Sequence, residues 1–180
     1  MRKMPTIFNR NYNPCRVFNM QHPDCDWVFN GEGVATRKWD GTCVMIENGE
    51  YFKRRTVKSK KQPPDDFILM DSNPITGKRF GWVPVTEDDK WHMEAYHANR
   101  PDGTYELVGP KVQGNAEDLK LHVLLNHRYY MVYSGILRTF DGIRDFMKDK
   151  DIEGIVFHHP DGRMAKIKKS DYGMERRPKR

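Results

Sequence analysis

Lys38-Trp39-Asp40-Gly41-Thr42 sets an amine beside a tight turn. The flanking runs predict a strand ending at Lys38 and a second strand returning after Asp40-Gly41, which carries the amine to the mouth of a pocket. A lysine is a poor nucleophile while protonated and needs desolvation or positive neighbours to react. A surface lysine on a hairpin has the same local sequence, so the weight falls on its company. Downstream stand a carboxylate in Tyr105-Glu106-Leu107-Val108-Gly109-Pro110-Lys111-Val112-Gln113, another in Glu153-Gly154-Ile155-Val156-Phe157, and two lysines in Lys166-Ile167-Lys168. The i, i+2 spacing points both lysines to one face of a strand. Glu153 and the lysine pair fall on adjacent strands of one predicted hairpin. A carboxylate and two ammonium groups on one wall suit a metal-bound triphosphate, the carboxylate for Mg²⁺ and the lysines for phosphate oxygens.

The order K-x-D-G-T, an arginine, a G-E-L-x-G-x-x-x-Q-like string, E-G-I-V and K-x-K resembles the covalent nucleotidyltransferases, the group of polynucleotide ligases and messenger-RNA capping enzymes. The ELVGPKVQ string is most similar to the RNA ligases. The short length is similar to small ATP-dependent RNA ligases built of little more than the adenylyltransferase domain. The resemblance covers about residues 30–170. It implies that Lys38 attacks the α-phosphate of ATP and carries AMP as a phosphoramidate. It implies that Arg55, or Arg54 beside it, contacts phosphate or the RNA end, and that Glu106 binds the ribose hydroxyls. Tyr133, or else Tyr130, would stack on adenine. Glu153 would organise Mg²⁺ or Mn²⁺, and Lys166 and Lys168 would hold the α-phosphate and the leaving pyrophosphate. Three positions depart from the family pattern: Arg37 stands where many ligases have Glu, Tyr105 where a small residue is usual, and Ser134 where an acid often follows the aromatic.

The resemblance implies an RNA ligase that joins 5′-phosphate and 3′-hydroxyl ends through lysyl-AMP and then an adenylated RNA end. The alternatives are a DNA ligase, a GTP-dependent capping guanylyltransferase, or an RNA-binding module without catalysis. The first two usually carry an OB-type domain after K-x-K. Residues 169–180 are too short for one, so no C-terminal OB domain is expected. The expected partners are RNA and, with so small a frame, a helper protein; the chain itself is expected to act as a monomer.

A length of 180 residues fits one domain. Charged residues are 31% and the apolar set is 37%, which allows one modest core under much polar surface. Aromatic residues at 12% argue against disorder. No apolar run reaches the roughly 18 residues of a membrane span, and no secretory h-region follows the start. Cys15, Cys25 and Cys43 are odd in number and form no C-x-x-C, which points to free thiols in a reducing cytoplasm, that of a virus-infected host included, rather than to a disulfide framework or a zinc site. The net charge of +6 is uneven. Residues 53–61 hold six basic and no acidic side chains, and residues 161–180 hold eight basic against three acidic ones. The first stretch flanks Arg55 and reads as part of a nucleic-acid track. The last residues read as a solvated tail. The histidines fit no H-E-x-x-H spacing and read as structural or surface groups. Trp82, Trp91 and Phe157 read as packing residues, and Lys111 as either a phosphate contact or surface.

The pattern predicts an α+β fold, mostly antiparallel, with helices flanking the sheets, an ATP-grasp-like nucleotidyltransferase domain. Residues 1–26 form a loop-rich lead-in, 27–172 the nucleotidyltransferase domain and 173–180 a basic tail. Strands are expected at 27–30, 33–38, 42–47, 51–58, 90–98, 104–109, 128–137, 152–159 and 163–169. Asp40-Gly41, Asn48-Gly49 and Asp161-Gly162 supply the turns. Residues 59–80 read as a long polar connection. Asn115 is expected to cap a helix reaching about Leu125, and Thr139 to cap a second with Ile143, Phe146 and Met147 on one face.

Overall fold

Side chains alternate across a strand, so pairing register decides which of them are buried and which meet solvent. The computed structural model describes residues 4–97, 99–128 and 131–176. In chain order these form β1 (Phe8–Tyr12), β2 (Cys15–Gln21), α1 (Asp26–Phe29), β3 (Val34–Lys38), β4 (Thr42–Glu47), β5 (Glu50–Val57), β6 (Ile68–Ser72) and β7 (Arg79–Pro84). They continue with α2 (Lys90–Ala95), β8 (Gly103–Val108), β9 (Val123–Asn126), β10 (Val132–Tyr133), α3 (Phe140–Lys148), β11 (Gly154–His158) and β12 (Met164–Lys168). The fold is α+β and its named strand pairs are antiparallel. Among the described residues no helix is long and apolar enough to cross a membrane.

The chain divides into two compact units, one of Asp40–His127 and one of Met4–Trp39 with the segment from Arg128 onward. The second unit holds a four-stranded sheet in the order β10-β3-β11-β12 and the β1-β2 hairpin. One face of its sheet carries Ala35, Ile155, Phe157, Ala165 and Ile167 into a core shared with Ile143 and Met147 of α3 and with Ile7, Phe8, Trp27 and Val28. Full burial of each large apolar side chain contributes about 1.5–3 kcal/mol. Thr139 caps α3 as expected, its Oγ1 accepting from the Gly142 N–H at 3.1 Å. Residues 5–7 run along the free edge of β12, with Ile7 N–H donating to Lys166 O at 3.0 Å and Lys166 N–H to Pro5 O at 2.9 Å.

The first unit is a six-stranded sheet in the order β6-β7-β5-β4-β8-β9. Val44, Ile46, Tyr51, Tyr105, Leu107 and Leu124 fill one side and Cys43, Phe52 and Trp82 the other.

Seven expectations differ. The 1–26 lead-in is mostly the hairpin of β1 and β2, with Ile7, Phe8 and Val17 in the core. Asp40-Gly41 joins no hairpin, because β3 and β4 lie in different sheets. The strand expected over 128–137 is, among the described residues, only the short β10. Residues 27–30 are one helical turn, not a strand; a short apolar run leaves the two undecided until Trp27 and Val28 are packed. Residues 90–95 are helical because Trp91 and Ala95 lie at i, i+4, although Trp91, Met93 and Ala95 also alternate as a strand would. The 59–80 connection contains the edge strand β6, whose Ile68 and Leu69 stay exposed. The helix expected from Asn115 does not form. Gln113, Gly114, Asn115 and Asp118 have positive φ, and the Asn115 amide closes a loop on Leu119, accepting from its N–H at 2.9 Å and donating to its O at 3.0 Å. A side chain with its own backbone partners competes with the helix it was expected to start. Residues 123–126 then form β9, with Leu124 and Leu125 on opposite faces.

Gly154 pairs with Lys38 on one side and Lys168 on the other. A Cβ there would come within 2.1 Å of Ile167 O and 2.8 Å of Lys168 Cα, both backbone atoms. Gly154→Ala is expected to destabilise the protein by about 1–3 kcal/mol through overpacking, read as a lower urea midpoint, whereas an unchanged midpoint would mean the strands are not held this close.

Candidate active site

The β3-β11-β12 register gathers the predicted amines. Lys38, Gly154 and Lys168 form one row across the three strands, and Thr36, Val156 and Lys166 the next. Lys38, Lys166 and Lys168 therefore share the face opposite the apolar core. Gly154 has no side chain to fill the space between its two lysine neighbours, and the Glu153 carboxylate turns into it. Oε2 lies 2.5 Å from Lys38 Nζ and Oε1 lies 2.9 Å from Lys168 Nζ. The Lys38 and Glu153 side chains are only 17% and 16% exposed, so this pair is screened far less than a surface salt bridge.

The surroundings set the charges. Burial works against the Glu153 carboxylate, but the Lys38 charge and the hydrogen bonds from Lys168 and Lys38 outweigh it and hold the carboxyl below its ordinary range. Burial, reinforced by the Lys38 and Lys168 charges, pushes the Lys166 ammonium down to about 8. Among the described residues, Lys38, Lys166 and Lys168 face Glu153, while Asp171, which also acts on Lys166, is already paired with Arg10; the surplus of positive charge suits an anion such as a polyphosphate. Second contacts fix the frame. Lys168 N–H donates to Asp171 Oδ2 at 2.9 Å, and Asp171 pairs with Arg10 at 2.5 Å. Arg37 lies over the Trp39 ring at 4.3 Å and donates to Asp151 O at 2.9 Å.

Tyr133 pairs with Ala35, on the core face of the sheet. Its ring meets Phe146 edge-on at 5.1 Å. That face is the one opposite Lys38, Lys166 and Lys168, and Val132 takes the amine face instead. Tyr130 lies outside the described residues.

The other two predicted residues belong to the six-stranded sheet. Glu106 on β8 is directly opposite Cys43 on β4. Its Oε1 accepts from Gly41 N–H at 3.2 Å, and its Oε2 lies 2.8 Å from His127 Nε2. Register separates the two arginines left open by the sequence. Arg54 pairs with Trp82 and its guanidinium lies 5.7 Å from the Phe80 ring. Met45 pairs with Phe52, so Phe52 and Arg54 share the face of Cys43 and Glu106. Arg55 pairs with Gly81 and points to the opposite face, where it is exposed. His127 was not singled out from the sequence. Its position two residues beyond Leu125, the partner of Glu106, becomes visible only once β9 is read as a strand.

Lys166 has a lowered value in the folded chain, so the unfolded chain binds more protons between about pH 8 and 10.5. Stability therefore rises with pH across that window, and the cost of the buried charge is fully present below it. Lys166→Met is expected to stabilise the protein at pH 7 by about 1–4 kcal/mol. The gain should shrink as pH rises through 8 to 10.5, and urea midpoints at pH 7 and pH 10 check this.

No family model matches the chain. It is 24% identical over 270 aligned positions to a protein of Rattus norvegicus named RNA ligase 1, covering 96% of this chain and 81% of the relative. It is 26% identical over 190 positions to RNA ligase 1 of Pongo abelii, covering 78% of this chain and 57% of that protein. RNA ligase 1 of Mus musculus is 23% identical, with 96% and 80% covered. Low-identity relatives with one name across nearly the whole chain support a relationship to the RNA ligases.

Proposed function

We propose that the chain is an ATP-dependent RNA ligase of the covalent nucleotidyltransferase type, with Lys38 as its nucleophile. The observation that carries this reading is the Lys38 amine, 2.5 Å from Glu153 on the sheet face that also bears Lys166 and Lys168. The donors fit the groups the reaction needs. Glu153 already receives cations at both oxygens in the form of two ammonium groups, and a hard carboxylate suits Mg²⁺ or Mn²⁺. When bound there, such an ion supplies further neutralisation of phosphate charge.

The residues of this chain then divide the work. Lys38 gives a proton to solvent and leaves the Glu153 contact. Its nitrogen forms a bond to the α-phosphorus of ATP while the bond to pyrophosphate breaks. Lys166 and Lys168 neutralise the charge that develops on the α-phosphate and the departing pyrophosphate. The phosphoramidate bond breaks when an RNA 5′-phosphate takes up the AMP. A 3′-hydroxyl then displaces AMP and closes the strand. Glu106 takes the ribose hydroxyls. We give the phosphate or RNA-end role to Arg54 rather than Arg55, because Arg54 shares the Glu106 face. Tyr133 receives no adenine-stacking role, because its ring belongs to the core.

Incubation with Mg²⁺ and ATP labelled at the α- or the γ-phosphate tests the reading. Label is expected on denatured protein from the α position alone. It should fall to background in Lys38→Ala and also in Lys38→Arg, since a guanidinium keeps the charge but does not deprotonate. Label that survives Lys38→Ala, or that comes from GTP alone, would overturn the reading. The arginines give a finer check. Losing a hydrogen bond to a charged group costs about 1.5–3 kcal/mol, so Arg54→Ala should slow RNA joining by roughly ten- to a hundredfold, while Arg55→Ala on the exposed face should change it by less than about threefold.

A further inference from the structure

Of the group Cys43, Glu106 and His127, the proposed nucleotide transfer uses Glu106 but gives no role to Cys43 or His127. Each offers one ligand atom, a thiol sulfur, a carboxylate oxygen and an imidazole nitrogen, and these atoms lie within 4.8 Å of one another. Strand pairing explains the convergence. Cys43 faces Glu106 across β4 and β8. Leu125 faces Glu106 across β8 and β9, and two residues further His127 returns to the same face. The His127 N–H donates to Thr104 O at 3.2 Å and holds the end of β9 against β8. Three residues far apart in the chain thus share one patch of a hydrogen-bonded sheet.

We propose that Cys43, Glu106 and His127 form a binding site for a thiophilic divalent cation, Zn²⁺ by its chemistry. Thiolate with imidazole and carboxylate is a donor set for zinc, whereas Mg²⁺ takes oxygen alone. Three ligands from the chain leave a fourth, open position for water or another oxygen. The supporting contacts hold the other atoms of both side chains, and the His127–Glu106 hydrogen bond gives way to the ion. Gly41 N–H occupies Glu106 Oε1, and Thr104 Oγ1 lies 3.1 Å from His127 Nδ1. His127 Nε2 and Glu106 Oε2, 2.8 Å apart, then face the ion with Cys43 Sγ. On binding, the thiol gives its proton to solvent, the sulfur–metal bond forms, and the ring proton sits on Nδ1, where Thr104 Oγ1 accepts it. The site itself does not depend on the proposed function. One consequence does rest on it: the ion takes the Glu106 oxygen assigned to the ribose hydroxyls, so zinc and ATP compete and zinc switches off nucleotide transfer.

The test uses the full chain, reduced and stripped with a chelator, then titrated with Co²⁺ and afterwards with Zn²⁺. Stoichiometric Co²⁺ is expected to give a thiolate-to-cobalt charge-transfer band in the near ultraviolet and tetrahedral bands in the visible, all bleached by Zn²⁺. The bands should persist in Cys15→Ser, which removes an exposed thiol. The charge-transfer band should vanish in Cys43→Ser. Thr104→Ala, which keeps all three ligands, should weaken Co²⁺ affinity about 10–100-fold. Far-ultraviolet circular dichroism checks that each variant is folded. Absence of the charge-transfer band at saturating Co²⁺, or its persistence in Cys43→Ser, would overturn the site. In the α-label assay Zn²⁺ should raise the ATP concentration needed for half-maximal labelling. If it does not while the cobalt bands are intact, the ribose role of Glu106 falls and the metal site stands.

Discussion

Amines side by side on one strand face repel each other unless an opposite charge stands among them or an anion arrives from outside. Lys38, Lys166 and Lys168 meet this condition in part. Glu153 lies between two of them and accepts from both. Lys166 remains, and its lowered value records the cost of holding a third positive charge in a half-buried place. A fold selected for stability alone would do better with an apolar residue at that position. The surplus is understandable if the resting arrangement is one half of a charge pattern that a polyphosphate completes. The same ion pair also holds Lys38 on that face, and the proposed transfer would have to break it to free the amine.

Both sheets use their two faces for different purposes, and strand register alone makes the assignment. In the four-stranded sheet Ala35, Ile155, Phe157, Ala165 and Ile167 point into a dry core. Their sequence neighbours Lys38, Lys166 and Lys168 point the other way. A slip of one residue between β11 and β12 would bury two ammonium groups and expose Ile167, so core burial enforces the placement of the amines. Gly154 removes the one side chain that would stand between Lys38 and Lys168. In the six-stranded sheet the same rule puts Glu106 and Arg54 on one face and Arg55 on the other. The basic run 53–61 is therefore a split surface, with alternate β5 cations serving different sides.

Much of this was legible in the residues. Asn48-Gly49 and Asp161-Gly162 mark turns that join paired strands, β4 to β5 and β11 to β12, whereas Asp40-Gly41 joins no hairpin, because β3 and β4 pair with other strands in different sheets. The i, i+2 lysines kept their shared face because nothing interrupts β12. What could not be read was the outcome of competition between local signals and packing. Leu121, Leu124 and Leu125 have helical spacing, yet the loop closed by Asn115 and the pairing with β8 make a strand of their last members. That single misreading concealed His127, whose place beside Glu106 exists only in the strand. The choice between Arg54 and Arg55 was hidden for a related reason: parity assigns a face only after the partner strand is known. Tyr133 illustrates the converse, since an aromatic near a site is as readily a core residue, and its pairing with Ala35 makes it one.

The Cys43, Glu106 and His127 group shows what spacing rules miss. Short motifs such as C-x-x-C work because a single turn brings both ligands together. A sheet brings ligands together from any distance along the chain, provided that each falls on the same face at neighbouring register positions. Cys43 and Glu106 satisfy this by direct pairing, and His127 by two steps along the third strand. Under the two proposals Glu106 would have two suitors of different hardness on one oxygen, a borderline-soft cation and a sugar hydroxyl. A carboxylate anchored by the Gly41 N–H on its other oxygen cannot turn to serve both at once. Occupancy by the proposed metal would therefore exclude the sugar, and the exclusion would need no conformational change in the sheet.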